Sequence, residues 1–137
     1  MEDVPATPQP ADFFGPLANE RFTRIQRLPL MEKKPISYAM HYLPAEIARR
    51  IDGADLRKRS MLDIITRRLG IRTGKVLQTI EARVADNEIA DHLSIKIMAP
   101  VLYVETFVRS ESEKPLEFSQ IFRRGDQHKH IVERMPM

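Results

Sequence analysis

The sequence predicts an α+β fold in which helices cover one face of an antiparallel sheet. Residues 35–43 and 75–86 alternate side chains between two faces, as strands with one buried face do. The phrase KPISYAMHYL at 34–43 is echoed by KPLEFSQIFR at 114–123, and each copy follows a polar turn. Two such strand pairs indicate two β-hairpins. Because helical spacing is confined to a few segments, the helices are expected to flank the sheet.

The first hairpin is predicted from residues 21–30 and 35–43. Lys34 precedes a proline, which disfavours helical backbone and suits the start of a strand. In the second strand Tyr38 lies on one predicted face and His41 on the other. An aromatic side chain on such a strand is more often part of the core than a stacking platform, so Tyr38 is expected to be buried.

Two helices are predicted after this hairpin, at residues 44–51 and 60–70. The first begins with a proline and has a glutamate close behind it, both of which are typical of a helix start. In the second, Ser60 is placed to cap the helix, with Asp63 at the third position of a capping box. Gly70 is expected to end it.

The second half of the chain is predicted to contain a hairpin like that of the first half, preceded by an additional strand and helix. Residues 75–86 form a strand with one apolar face, 86–95 a helix capped by Asp86, and 99–110 with 116–126 the second hairpin. No strand and helix are predicted before the first hairpin. The repeat therefore predicts a pseudo-twofold sheet whose first half is cut short at the N-terminus.

Length and composition predict a single domain and exclude several protein classes. Residues 1–20 are rich in proline and lack periodicity, so they are predicted to be a linker or disordered segment before a domain at 21–137. The absence of cysteine excludes disulfides and fits a cytoplasmic protein. No apolar run is long enough for a membrane span. The net charge of +3 is dispersed among acidic residues, so the chain by itself is not expected to bind DNA.

Five phrases between about residues 24 and 134 carry a resemblance to a known family. They are RIQRL, KPISYAMHYLPAEI, SMLDIITRRLGI, QTIEARVAD and APVLYVETFVRSESEKPLEFSQIFRRGD. In this order and spacing they resemble the UTRA domain, the effector-binding module of HutC-subfamily, GntR-type transcription regulators. The resemblance implies a chorismate lyase-like fold and a homodimer. It also implies DNA binding only through a winged helix-turn-helix domain, for which the stretch before residue 21 has no room.

The resemblance also implies a ligand site, which this sequence retains in part. In sugar-phosphate-sensing members an Arg-x-Arg falls on Arg27, which is retained, and on Pro29, which is not. A family glutamate falls on Ala39 and is lost. The serine that opens the middle helix is Ser60, and the acidic residue of the last hairpin is Glu117. Losing two positions makes an amino-sugar phosphate a poor match.

A small anion, either a carboxylate or a phosphate, is the ligand that the retained residues favour. Arg27 could form a bidentate pair with it, and Ser60 lies where free backbone N–H groups attract negative charge. Arg123 falls where the family often has a tyrosine and could replace the missing arginine. The alternatives are a solvated charge for Arg27 and an ordinary helix cap for Ser60.

No cofactor or metal is expected. Asp126, His128 and His130 alternate in the run DQHKH and could share one strand face. Three ligands in one short run, without a distant fourth, are weaker evidence for zinc than for a surface strand.

The predicted function is effector sensing without catalysis, because no nucleophile–base constellation or phosphate-binding loop is present. Two alternatives remain open. One is a chorismate lyase-like enzyme, in which Arg27, Arg123 and Glu117 would clamp the substrate, although a shared fold does not transfer function. The other is a module that only dimerises, because the edge strands of such sheets invite pairing.

Overall fold

The computed structural model describes residues 2–4, 13–15 and 22–126, and its centre is an antiparallel sheet. The sheet contains six strands in the order β1-β2-β5-β8-β7-β6, and β3 and β4 form a separate two-stranded hairpin. The strands are β1 (Glu2–Val4), β2 (Phe22–Arg27), β3 (Leu30–Met31), β4 (Lys34–Pro35), β5 (Ser37–Pro44), β6 (Thr73–Val84), β7 (Pro100–Ser110) and β8 (Pro115–Arg124). Both predicted hairpins, β2–β5 and β7–β8, are confirmed.

Helices cover both faces of the sheet, so the expectation of helices on one face is wrong. The helices are α1 (Ala45–Ala48), α2 (Gly53–Lys58), α3 (Met61–Asp63), a π-helix (Ile64–Arg68) and α4 (Asn87–Leu93). Leu43 of β5 packs with residues of α1, α3 and the π-helix, whereas Tyr38 of the same strand packs with α4. Because side chains alternate along a strand, these two groups of helices lie on opposite faces. Both faces of β5 are buried, which the alternation alone did not reveal.

The predicted helix starts are confirmed where a polar side chain caps them. Asp86 accepts a hydrogen bond from the Ile89 N–H at 2.9 Å and begins α4. Helix α2 was not predicted, although Asp52 caps it by accepting from the Ala54 N–H at 3.0 Å. Only six residues long, α2 has too short an apolar pattern to be recognised from periodicity.

The N-terminal segment, predicted to be a linker, contacts the sheet at its described residues 2–4 and 13–15. Strand β1 pairs with β2, and Val4 lies opposite Phe22. Residues 13 and 14 are helical, and Phe14 is 1% exposed, with its ring centroid 4.4 Å from that of Phe22. A lone pair of aromatic residues has no periodicity, so the sequence pattern concealed this contact.

The pseudo-twofold repeat extends further than predicted. Strands β1, β2 and β5 follow one another across one half of the sheet, as β6, β7 and β8 do across the other. The expected absence of an upstream strand in the first half is wrong, because β1 occupies that position with three residues where β6 has twelve. The first half is therefore the shorter one, as predicted.

Within the described part of the chain, no helix has the length and apolar character that crossing a membrane requires. The weak strand predicted near residue 130 lies outside the described residues, as do His128 and His130.

Candidate functional site

A cavity of about 370 Å³ lies between one face of the sheet and the start of α3. The four residues singled out in the sequence all line it, although they come from separate segments of the chain. They are Arg27 of β2, Ser60 before α3, and Glu117 and Arg123 of β8. His41 of β5 lines it too.

Strand register explains why these side chains meet. Arg27 lies opposite Ala39, and His41 lies opposite Ser119, so alternate residues of β2, β5 and β8 share one face. On β7, Val108 lies opposite Glu117 and continues the same face. The cavity is thus built on paired strands, and α3 closes it from above with Met61 and Leu62.

His41 and Glu117 form a buried pair at the back of the cavity. His41 Nδ1 is 2.8 Å from Glu117 Oε1, and each side chain is 3% exposed. Arg27 donates to His41 Nε2 from Nε at 3.1 Å and from Nη2 at 2.9 Å. Because a guanidinium can only donate, Nε2 must accept, and the imidazole proton is on Nδ1. His41 therefore donates to the Glu117 carboxylate and is neutral in this arrangement.

Arg27 is held in place by the protein and is not a solvated charge. Its Nη1 donates to the carbonyl of Arg59 at 2.8 Å and to that of Leu56 at 3.4 Å, both at the end of α2. Carbonyls at a helix end lack partners within the helix, so this side chain satisfies them. Burial lowers the pKa of the Arg27 guanidinium, and the charge of Glu117 opposes that shift. One N–H of the guanidinium remains for a ligand.

Ser60 caps α3, as the sequence predicted. Its hydroxyl oxygen accepts from the Asp63 N–H at 3.1 Å, and the residue itself is exposed. This contact uses the oxygen as an acceptor and leaves the hydroxyl proton available at the rim of the cavity. A role of Ser60 in ligand binding stays a prediction.

Arg123 differs from Arg27 in its surroundings. It is half-buried, and none of the residues in the described ranges forms a hydrogen bond or ion pair with its side chain. Ser37, which lies opposite Arg123 in the sheet, and the buried Ser119 supply hydroxyl groups to the same cavity.

His41 is the site residue that sequence reasoning missed. The alternation of β5 had placed it on a face with Ala39, but nothing local indicated a partner 76 residues away. The family glutamate expected at Ala39 is absent, and Glu117 brings a carboxylate to the same face from β8. The available signal was a histidine within a strand, because a polar side chain that becomes buried there needs a hydrogen-bond partner.

The run that contained Asp126 provides no metal site among residues 22–126, where no cluster of three or more His, Cys, Asp or Glu occurs. Asp126 accepts from Arg124 at 3.1 and 2.9 Å. The Arg124 guanidinium lowers the pKa of that carboxyl.

Comparison with known families gives one match that covers nearly the whole chain. The model of the UTRA domain family matches residues 1–129. The match includes the segment before residue 21, in agreement with the contacts of β1 and Phe14.

Solved structures share the fold. A possible transcriptional regulator, YydK, from Bacillus subtilis has a TM-score of 0.85 and 19% identity; the match covers 98% of this chain and 58% of that one. A GntR-family transcriptional regulator from Enterococcus faecalis has a TM-score of 0.84 and 19% identity, with 97% and 95% covered. The effector domain of PhnF from Mycobacterium smegmatis has a TM-score of 0.79 and 17% identity; the match covers 98% of this chain and 83% of that one. At identities this low, the TM-scores show that the fold is shared, namely the antiparallel sheet with flanking helices.

Proposed function

Since the chain belongs to the UTRA domain family, we propose that its cavity binds a small-molecule effector and so controls a DNA-binding domain. The proposal places the chain in a GntR-type, HutC-subfamily transcription regulator whose DNA contacts are made by a winged-helix domain. Support comes from the cavity, which residues of five strands and the start of α3 line, among them charged and hydroxyl side chains. Arg27, Ser60, Glu117 and Arg123 are its proposed binding residues, and a small anion is the proposed ligand.

The bonding of His41 favours binding over catalysis. A general base needs a ring nitrogen that can take a proton from the substrate. Here Nε2 accepts from Arg27 and Nδ1 donates to Glu117, so both nitrogens are occupied. A chorismate lyase-like activity would appear as 4-hydroxybenzoate absorbance on incubation with chorismate, and we expect none.

A thermal-shift screen of metabolites should yield at least one ligand. At 100 times its dissociation constant, a ligand adds about 2.7 kcal/mol to the free energy of unfolding. For a domain of this size that raises the melting temperature by several degrees. Thr106→Trp should abolish the response, because Thr106 points into the cavity from β7.

The control is Phe107→Trp, which introduces the same indole on the opposite face of β7 and should leave the response unchanged. A screen without any hit would refute effector binding. So would hits that bind the Thr106→Trp variant with unchanged affinity.

Strand β6 favours a homodimer as the assembly of the regulator. It forms one edge of the sheet, and its apolar residues Val76, Leu77, Ile80 and Val84 are 41–55% exposed. A long edge strand with exposed apolar side chains is a template for pairing with another strand. If two copies of β6 pair in antiparallel fashion with Gln78 opposite Gln78, residues equally distant from position 78 lie opposite each other. Val76 would then face Ile80, and Lys75 would face Glu81. Apolar residues and opposite charges would then meet.

We expect wild-type protein at tens of micromolar to have a dimeric mass by light scattering, and Ile80→Lys to have a monomeric one. The substitution places a charge at two positions of the two-fold interface. Ile97→Lys is the matched control, because Ile97 is 54% exposed but lies outside β6. A monomeric wild type, or an Ile80→Lys variant that stays dimeric, would contradict pairing through β6.

A further inference from the structure

The two arginines of the cavity are not equivalent for a ligand. Arg27 has one N–H left for a ligand, but to form a bidentate pair it would have to leave the His41 ring nitrogen or the carbonyls of Leu56 and Arg59. Leaving those polar groups buried without partners would weaken binding. Arg123 has no such bonds with described residues, so it can pair with a ligand without this loss.

The charges of the cavity leave one positive charge in excess. Arg27 and Arg123 are cationic, Glu117 is anionic, and the bonding of His41 makes it neutral. Arg27 and Glu117 offset each other through the His41 ring that joins them. A ligand with one negative charge would therefore neutralise the site, whereas a second negative charge would find no unpaired cation among the described residues that line this cavity.

The remaining polar groups of the cavity suit hydroxyl groups on the ligand. Ser37 and Ser119 have no side-chain hydrogen bond within residues 22–126, and both lie on the face of Arg123. Glu117 uses Oε1 for His41, and Oε2 has no side-chain partner among those residues. A carboxylate oxygen can only accept, so it selects a ligand group that donates.

We propose that the ligand is a small polyhydroxylated monoanion whose acid group pairs with Arg123 and whose hydroxyls bond to Glu117 and the two serines. This inference rests on the proposed effector-binding function. It assigns to Arg27 at most one hydrogen bond to the ligand, together with a positioning role in which it holds His41 and the end of α2. The volume of about 370 Å³ fits a small metabolite.

Four probes with the same four-carbon chain separate these requirements in titration calorimetry. Threonate has one negative charge and hydroxyls, butyrate has the charge alone, erythritol has hydroxyls alone, and tartrate has hydroxyls with two negative charges. We expect threonate to bind the wild type, and each of the other three to bind at least about tenfold more weakly. Butyrate lacks the hydroxyls that donate to Glu117, erythritol lacks the charge that pairs with Arg123, and tartrate brings a second negative charge without a cation to pair with.

Arg123→Gln should weaken threonate binding by about tenfold or more. Arg124→Gln is the matched control, since Arg124 is the next residue of β8, points away from this cavity and pairs with Asp126. It should leave threonate affinity unchanged.

The assignment would be overturned if butyrate or erythritol bound as tightly as threonate, or if tartrate bound more tightly. It would also be overturned if Arg123→Gln and Arg124→Gln lost threonate affinity to the same extent. If the metabolite screen yields ligands that are neutral or indifferent to Arg123→Gln, this inference fails while effector sensing stands. If the screen yields no ligand at all, the proposed function fails.

Discussion

Replacing His41 by leucine is expected to lower the free energy of unfolding by about 3–5 kcal/mol. The substitution removes the donor that binds Glu117 Oε1 at 2.8 Å and leaves a carboxylate buried with a side-chain exposure of 3%. A buried carboxylate that loses its hydrogen-bond donor has an effect of this size, because its charge is left without compensation. Arg27 loses its acceptor in the same step. Urea unfolding followed by circular dichroism measures the change.

Two further variants distinguish the pair from simple loss of packing. Glu117→Gln retains an oxygen that can accept from His41, so it should cost less than His41→Leu. The double variant His41→Leu/Glu117→Leu removes both polar partners and should be less destabilised than the sum of the two single leucine variants. If the effects of the single leucine variants simply add, the two side chains are not coupled and the buried pair is ruled out.

Phe14→Ala should lower the free energy of unfolding by about 3–5 kcal/mol, the range for truncating a buried phenylalanine. Phe14 is 1% exposed, and its ring contacts that of Phe22, in a cluster that also contains Tyr42 and Phe118. The loss corresponds to a decrease on the order of 10 °C in melting temperature. Differential scanning calorimetry would measure it directly.

Leu30→Ala provides the exposed control, because Leu30 is 59% exposed and should change the melting temperature by little. A Phe14→Ala variant as stable as Leu30→Ala would mean that the N-terminal segment contributes nothing to the core. That result would support the prediction that residues 1–20 are a linker.

The strands and caps of this protein are determined by local sequence. Alternating side chains predicted β5, β6 and β8, and polar residues at the right spacing predicted the helix starts at Ser60 and Asp86. These features depend on residues within a few positions of one another, so a single stretch contains the information. Even the membership of Arg27, Ser60, Glu117 and Arg123 in one cavity agrees with what the family resemblance implied.

Tertiary structure decided which faces are covered and which side chains are satisfied. The alternation of β6 predicted one buried face, yet nearly the whole strand is exposed because it forms the edge of the sheet. Periodicity shows that a face is apolar, but not whether another element packs on it. Helix α2 likewise was not predicted from the sequence and is known only from the structure.

Arg27 shows most clearly how tertiary structure decides the role of a residue. Its local sequence fits a ligand-binding arginine and a solvated one equally well. Its role depends on His41, fourteen residues away, and on carbonyls about thirty residues away. His41 in turn depends on Glu117, which strand register brings to within 2.8 Å. Hydrogen bonds are short-ranged and directional, so only the pairing of distant strands decides which polar groups are already satisfied and which remain free for a ligand.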